Sequence, residues 1–388
     1  MPKKALIAAV HPWDSPSYVG SHAIAKQLTV AGWDVAFISA PITPFHWLRF
    51  RENLFKSRRR THLRGGDLHL TGKLWHYVPY ALIAPDNRPI FNSRWVFRNW
   101  HRLTRPNIVD TVIAKGFGNL DLLLLNSHYQ PFWLDAIHYK HSLYRVADLN
   151  SGFPGCGTAA LEVESEIVRR VDHVVTAAHT LIEPMRKMGA RSVIPLLNGI
   201  DFDEFASKPD RPPQEYLGLS GPIAVYVGSF GPWFDFDLVI HCAGQLPDVN
   251  FVMIGSKERI PGHLYACPNL HFLGPRSRAQ LPAYLHFAHV GLIPFDRTTC
   301  PQLVDHVNPL KLYEYLACGL PVITTDWAEL RSFQHPATIC KTNEIFIASI
   351  REILSAPRSP GALINYAKAA DWKFKVANLL DILDMAPP

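Results

Sequence analysis

Short apolar runs alternate with longer amphipathic stretches along this chain of 388 residues. Runs at 5–10, 34–39, 120–126, 142–146, 173–176 and 192–196 form a first series. Runs at 223–227, 250–254, 271–273, 290–293 and 321–324 form a second. Nearly continuous apolar runs of this length mark strands buried on both faces, and the helical patterns between them, such as 21–31, predict crossover helices. Strand–helix alternation of this kind predicts an α/β fold with parallel sheets. The two series are separated by 208–221, where Pro209, Pro212, Pro213, Gly218 and Gly221 break any regular element. Two doubly wound, Rossmann-like domains are expected. A last amphipathic pattern, 362–384, predicts a closing helix that carries Trp372.

Composition narrows the class. With 48% hydrophobic and 19% charged residues the chain is not disordered. No apolar run approaches the roughly 20 residues of a membrane-spanning helix. The apolar stretch after Lys3 and Lys4 ends at His11, which reads as a buried strand and not as a signal peptide. The six cysteines are scattered without a Cys-x-x-Cys pair, so a reducing, cytoplasmic setting without a zinc site is expected. The net charge of +6 hides an asymmetry: residues 1–120 hold 17 basic and 6 acidic side chains, the remainder 22 and 27.

Two segments in the second series carry candidate chemistry. Val227-Gly228-Ser229-Phe230-Gly231 follows the first strand of that series. Small residues at such a turn let backbone N–H groups approach an anion, though a plain strand-to-helix turn has the same composition. In Asn308-Pro309-Leu310-Lys311-Leu312-Tyr313-Glu314, Pro309 suits a helix start and Gly319 its end. Lys311 then adds positive charge to the positive end of the helix dipole, a cost that an anionic partner such as a diphosphate would relieve. Glu314 lies one turn on, where a carboxylate can accept hydrogen bonds from ribose hydroxyls; an i,i+3 surface ion pair is the plainer reading.

The stretch NPLKLYEYLACGLPVI resembles the donor-site helix of GT-B glycosyltransferases that use nucleotide sugars. LLNGIDFDEF (196–205), VGLIPF (290–295) and the closing helix are similar to other marks of that group. Within it, YRVADLNSGF (144–153) and VGSF (227–230) resemble the xanthan-type membrane-associated glucuronosyltransferases. The resemblance implies a GT-B fold: two Rossmann-like domains facing a cleft, an acceptor domain over 1–207 with 361–388 packing back onto it, and a donor domain over 208–360. It implies that Gly228, Ser229, Phe230, Asn308, Leu310, Lys311 and Glu314 hold a nucleoside-diphosphate sugar, here expected to be a UDP-sugar. It also implies Asp148 as the catalytic base. The chain departs from that family at Pro275 and Phe295, where it has glutamate and tyrosine, and at Glu314, where it has glutamine. In the broader group an acidic residue stands at the position of His306.

The chemistry supports these roles independently. A hydroxyl attacking an anomeric carbon needs a base, and a carboxylate after an apolar strand, such as Asp148, is the simplest one. A helix cap or a partner for Arg145 would also explain Asp148. His11, with Trp13 and Asp14 on the loop after the first strand, faces the acceptor in such folds, and His11 is the alternative base. The leaving diphosphate can be stabilised by helix dipole and lysine, so no metal or further cofactor is expected. Asp235-Phe236-Asp237 reads as a helix cap.

The excess basic charge sits in two aromatic-rich segments. One holds Arg58, Arg59 and Arg60; the other holds Arg94 and Arg98 on one helical stripe beside Trp95. Such segments suit an anionic bilayer surface and a lipid-linked or glycan acceptor, with no nucleic-acid partner expected. The resulting expectation is a peripheral enzyme on the inner membrane face. A nucleotide-sugar 2-epimerase and a non-catalytic membrane- or nucleic-acid-binding protein are the alternatives.

Overall fold

The computed structural model describes residues 2–15, 18–49, 52–86, 88, 91–153, 155–256, 260–357 and 359–384. The chain divides into two compact units, Met1–Leu197 with Val376–Pro388, and Asn198–Lys375.

The first unit is built on an eight-stranded sheet. Its strands are β1 (Lys4–Ala8), β2 (Asp34–Ile38), β3 (Asp67–His69), β4 (Leu74–Tyr77), β5 (Asn119–Leu125), β6 (His138–Val146), β7 (His173–Thr176) and β8 (Val193–Pro195). Their order is β3-β4-β2-β1-β5-β6-β7-β8. All neighbours are parallel except β3 and β4. Ile7 pairs with Phe37 on one side and Leu124 on the other, and all three are buried. That burial on both faces explains the unbroken apolar runs in the sequence. The edge strand β3 gave no hydropathy signal because it is only three residues long, and two of the three are polar. Two helices of this unit matter below: α1 (Gly20–Val30), which follows β1, and α2 (Asn53–Leu63).

The second unit holds a six-stranded, fully parallel sheet of β9 (Ile223–Val227), β10 (Asn250–Ile254), β11 (Leu270–Phe272), β12 (Val290–Ile293), β13 (Val322–Thr325) and β14 (Thr338–Cys340), ordered β11-β10-β9-β12-β13-β14. The order turns back at β9 and β12, and ligands of doubly wound sheets bind at the carboxyl ends of strands beside such a point.

Two details differ from the expected layout. Residues 198–207 and 361–375 group with the second unit. The 362–384 pattern forms two helices, Pro360–Ala369 and Trp372–Ile382. The break arises because the backbone there is engaged by Ile200, whose N–H bonds Ala370 O at 3.2 Å and whose carbonyl accepts from Trp372 N at 3.0 Å.

Candidate functional site

The expected donor-side residues lie at the end of β9 and on the Leu310–Ala317 helix. Gly228 has φ +152°, a conformation that disfavours a side chain, and a Cβ there would lie 2.9 Å from the Tyr226 hydroxyl and 3.1 Å from Lys311 Cε. The turn is held by the Tyr226 hydroxyl donating to Ser229 O at 2.8 Å. Ser229 itself is exposed.

Lys311 runs beneath this turn. Its Nζ sits 5.4 Å from the Tyr226 ring centre and 4.9 Å from that of Phe295. Burial lowers its ammonium to about 8, with Glu314 pulling the other way. Rings hold this cation, and among the described residues no carboxylate pairs with it directly. A cation with ring contacts but no ion pair, at the first turn of a helix, favours an anionic ligand.

Glu314 has a different neighbour from the one its spacing suggests. Arg278 donates to Glu314 Oε1 at 3.1 Å and also binds Asp201 at 3.3 Å and Glu204 at 3.0 Å. Burial raises the Glu314 carboxyl, while Arg278 and then Lys311 pull it down. Arg278 was not singled out from the sequence. It is 36 residues from Glu314, and no local spacing joins them.

Three further donor-side residues fall in distinct settings. Leu310 is half-buried at the first helical position. Asn308 is buried and locked: its Oδ1 accepts from the Tyr313 hydroxyl at 3.1 Å, and its carbonyl accepts from Asn198 Nδ2 at 2.6 Å. It therefore shapes the helix entry. Phe230, expected to hold the donor, is instead a core residue. It is only 3% exposed and packs among Tyr226, Phe234, Phe236 and Phe272. An apolar ring next to that aromatic cluster is more stable in the core than in a polar pocket. Asp235 accepts from Leu238 N at 2.8 Å and caps its helix, as its position suggested.

On the first unit, Asp148 lies two residues beyond β6 and is half-buried. Burial raises its carboxyl, offset in part by Arg145. The following 3-10 turn, Asn150–Gly152, starts after Leu149, so Asp148 caps no helix. Arg145 is 2% exposed, and a Cβ on Gly20 at the start of α1 would fall 2.5 Å from its guanidinium. The Asp148 turn is anchored from both sides by one buried carboxylate. Glu164 accepts from the Tyr144 hydroxyl at 2.8 Å and from Asn150 Nδ2 at 2.6 Å.

His11, Trp13 and Asp14 follow β1. The Trp13 ring packs against His22, Phe37 and His69, and the Trp13 backbone N–H donates to His76 Nε2 at 3.3 Å. Asp14 accepts from the Ser57 hydroxyl. Burial and the Arg58 charge lower the His11 imidazole, keeping it neutral near pH 7.

Arg58 corrects the membrane-surface expectation. It points inward from α2, donating to Ala40 O at 2.8 Å and Pro41 O at 3.0 Å. Burial lowers its guanidinium to about 10, with Asp14 opposing. Arg59 and Arg60 are exposed. Arg94 and Arg98 are not a free basic stripe either. They pair with Glu162 and Glu166 of the Thr158–Arg170 helix. The helix carrying them, Arg94–Asn99, gives way to a 3-10 turn at Trp100, which ends the stripe before Arg105.

Comparison with known proteins bears on the family and the fold. Residues 7–177 match the family described as "Glucuronosyltransferase GumK, N-terminal domain", and residues 221–356 match "Glycosyl transferases group 1". Among curated relatives, a Bacillus subtilis protein described as a teichuronic acid biosynthesis glycosyltransferase, TuaH, is 26% identical over 181 residues, 45% of each chain. D-inositol 3-phosphate glycosyltransferase of Mycobacterium leprae is 25% identical over 230 residues, 52% of each chain. The chain thus spans about half the length of the curated relatives it matches. Among solved structures, sucrose-phosphate synthase from Thermosynechococcus elongatus superposes with TM-score 0.71 at 16% identity over 98% of both chains. Anabaena HepE in complex with UDP-glucose gives 0.63 at 14%, again over 98% of both. The chain has the GT-B fold. Its first part is similar to the GumK N-terminal domain family and its second part to the group 1 glycosyl transferases.

Proposed function

We propose that this protein transfers a sugar from a UDP-sugar to a hydroxyl of a glycan acceptor carried on a lipid. The observation that carries the donor half is Lys311, a half-buried cation without a direct carboxylate partner beneath the Gly228 turn. HepE was solved with UDP-glucose on the same fold, which supports a UDP-sugar here. Lys311 and the N-terminus of its helix would take the charge that develops on the departing diphosphate, so the protein's own groups serve without a metal. Glu314, steadied by Arg278, would accept from the ribose hydroxyls.

Asp148 would remove the proton from the acceptor hydroxyl as its oxygen bonds to the anomeric carbon and the bond to the diphosphate breaks. Its raised carboxyl pKa suits a base working near neutrality. Asp148→Asn should lower turnover by orders of magnitude while UDP still binds, and full activity in that variant would refute the assignment.

No helix among the described residues is long and apolar enough to cross a membrane. Contact with the inner membrane face would instead use α2, where Lys56, Arg59 and Arg60 are exposed with Leu54 and Leu63. Exposed Trp95 supports the same reading. Sedimentation with anionic and neutral vesicles tests it.

A further inference from the structure

We infer that the first unit contains a subsite for an acidic sugar residue of the acceptor, in the cavity beside Arg58, with Arg58 taking the carboxylate. The inference rests on the proposed glycosyl transfer and names the acceptor's chemistry.

The cavity has a volume of ≈ 300 Å³ and is bounded by the loops after β1 and β2, by α2 and by Pro85, Asp86, Arg88 and Phe91. That volume lies at the small end for ligand pockets, which suits a single sugar ring. Arg58 enters its wall. One guanidinium nitrogen is spent on the Ala40 and Pro41 carbonyls, but among the described residues the buried Nε–H has no hydrogen-bond partner. Carbonyl oxygens solvate the cation without cancelling its charge, and a buried donor without a partner is costly. The carboxylate closest in effect, Asp14, is already bound by Ser57.

The opposite rim is aromatic. The Arg88 guanidinium lies 4.5 Å from the Phe45 ring centre and 5.0 Å from that of Phe91. Asp86 holds Arg88 through two side-chain bonds, 3.1 and 2.9 Å, and neutralises it. Phe45 and Phe91 meet edge to face at 64°, and apolar ring edges beside a cation suit a pyranose that bears one charged group. The charge count favours a carboxylate over a phosphate. Among the described residues of the wall Arg58 has no ion-paired carboxylate, whereas Arg88 is paired with Asp86 and burial, helped by the Arg58 charge, keeps the His11 imidazole neutral, so a single positive charge is left for a monoanion.

The test uses the whole chain with methyl glucuronoside, methyl glucoside and glucose 1-phosphate as probes, followed by titration calorimetry and saturation-transfer NMR. The glucuronoside should bind about tenfold or more tightly than the glucoside, as expected for one charge-assisted contact. Arg58→Gln should erase that preference, and Lys187→Gln, on an exposed surface, should keep it. Leu54→Trp, at the exposed edge of the cavity, should block the glucuronoside, which keeps the test decisive if Arg58→Gln does not fold. Equal affinity for glucuronoside and glucoside, preference for glucose 1-phosphate, or unchanged binding in Leu54→Trp would each overturn the subsite. UDP titrated into the same samples separates the two readings. UDP binding without glucuronoside binding removes only the subsite, whereas no UDP binding removes the transfer reaction itself.

Discussion

Lys311 and Arg58 are both half-buried cations projecting from helices, one in each unit, yet they are held in opposite ways. Lys311 rests on the rings of Tyr226 and Phe295 and is lowered to about 8. Arg58 is pinned by two backbone carbonyls and is lowered to about 10. Rings tolerate a cation but supply only weak attraction, so Lys311 can release or gain a proton around mildly alkaline pH. A guanidinium on carbonyls stays charged and fixed in direction. The first arrangement suits a charge that must respond to a leaving group. The second suits recognition of a permanent anion.

The largest effect should come from the proposed base on the first unit. Asp148→Asn should lower kcat by roughly 10²–10⁴-fold with UDP affinity unchanged, measured by UDP release and by calorimetry. In the wild type kcat should rise with pH through a value above the ordinary carboxylate range, because the burial-raised Asp148 must lose its proton to act.

Next comes Phe230→Ala, which asks whether the donor turn is supported from the core. A loss of about 3–5 kcal/mol in denaturant unfolding is expected for a ring buried this deeply. Normal stability with weakened donor binding would instead return Phe230 to the nucleotide.

Lys311→Ala should weaken UDP binding by roughly 10–100-fold, as for loss of one charge-assisted contact. In the wild type, UDP affinity should decline as pH rises through about 8. The pKa of Lys311 is depressed, so its protonated, anion-binding form is lost there first. A flat profile to pH 10 would show that Lys311 does not meet the diphosphate.

The smallest effect separates neighbours on α2. Arg59→Ser and Arg60→Ser should each weaken binding to anionic vesicles by about 1 kcal/mol. Arg58→Ser should leave vesicle binding unaltered, since its side chain is turned inward.

Much of the plan was legible along the chain. Parallel strands buried on both faces write themselves as apolar runs, so the central strands of both sheets could be read from hydropathy. The Pro309–Lys311–Glu314 spacing placed a lysine and a carboxylate on one face of a helix because three residues are nearly one turn. Short edge strands such as Asp67–His69 gave no such signal.

Local order along the chain determined the two-sheet α/β plan, the loop after β9, the donor helix and the position of Asp148 beyond a strand. Tertiary structure decided which charges meet and which way they face. Arg278 joins Asp201, Glu204 and Glu314 only because loops distant in sequence converge. Glu162 and Glu166 neutralise an arginine stripe that looked free. Arg58, Arg59 and Arg60 are adjacent, but a helix turns each about 100° from the next, so one enters a cavity while two face solvent. Periodicity records which face of an element is buried; the identity of what covers that face is set by packing between elements, and that part of the chemistry became visible only in the folded chain.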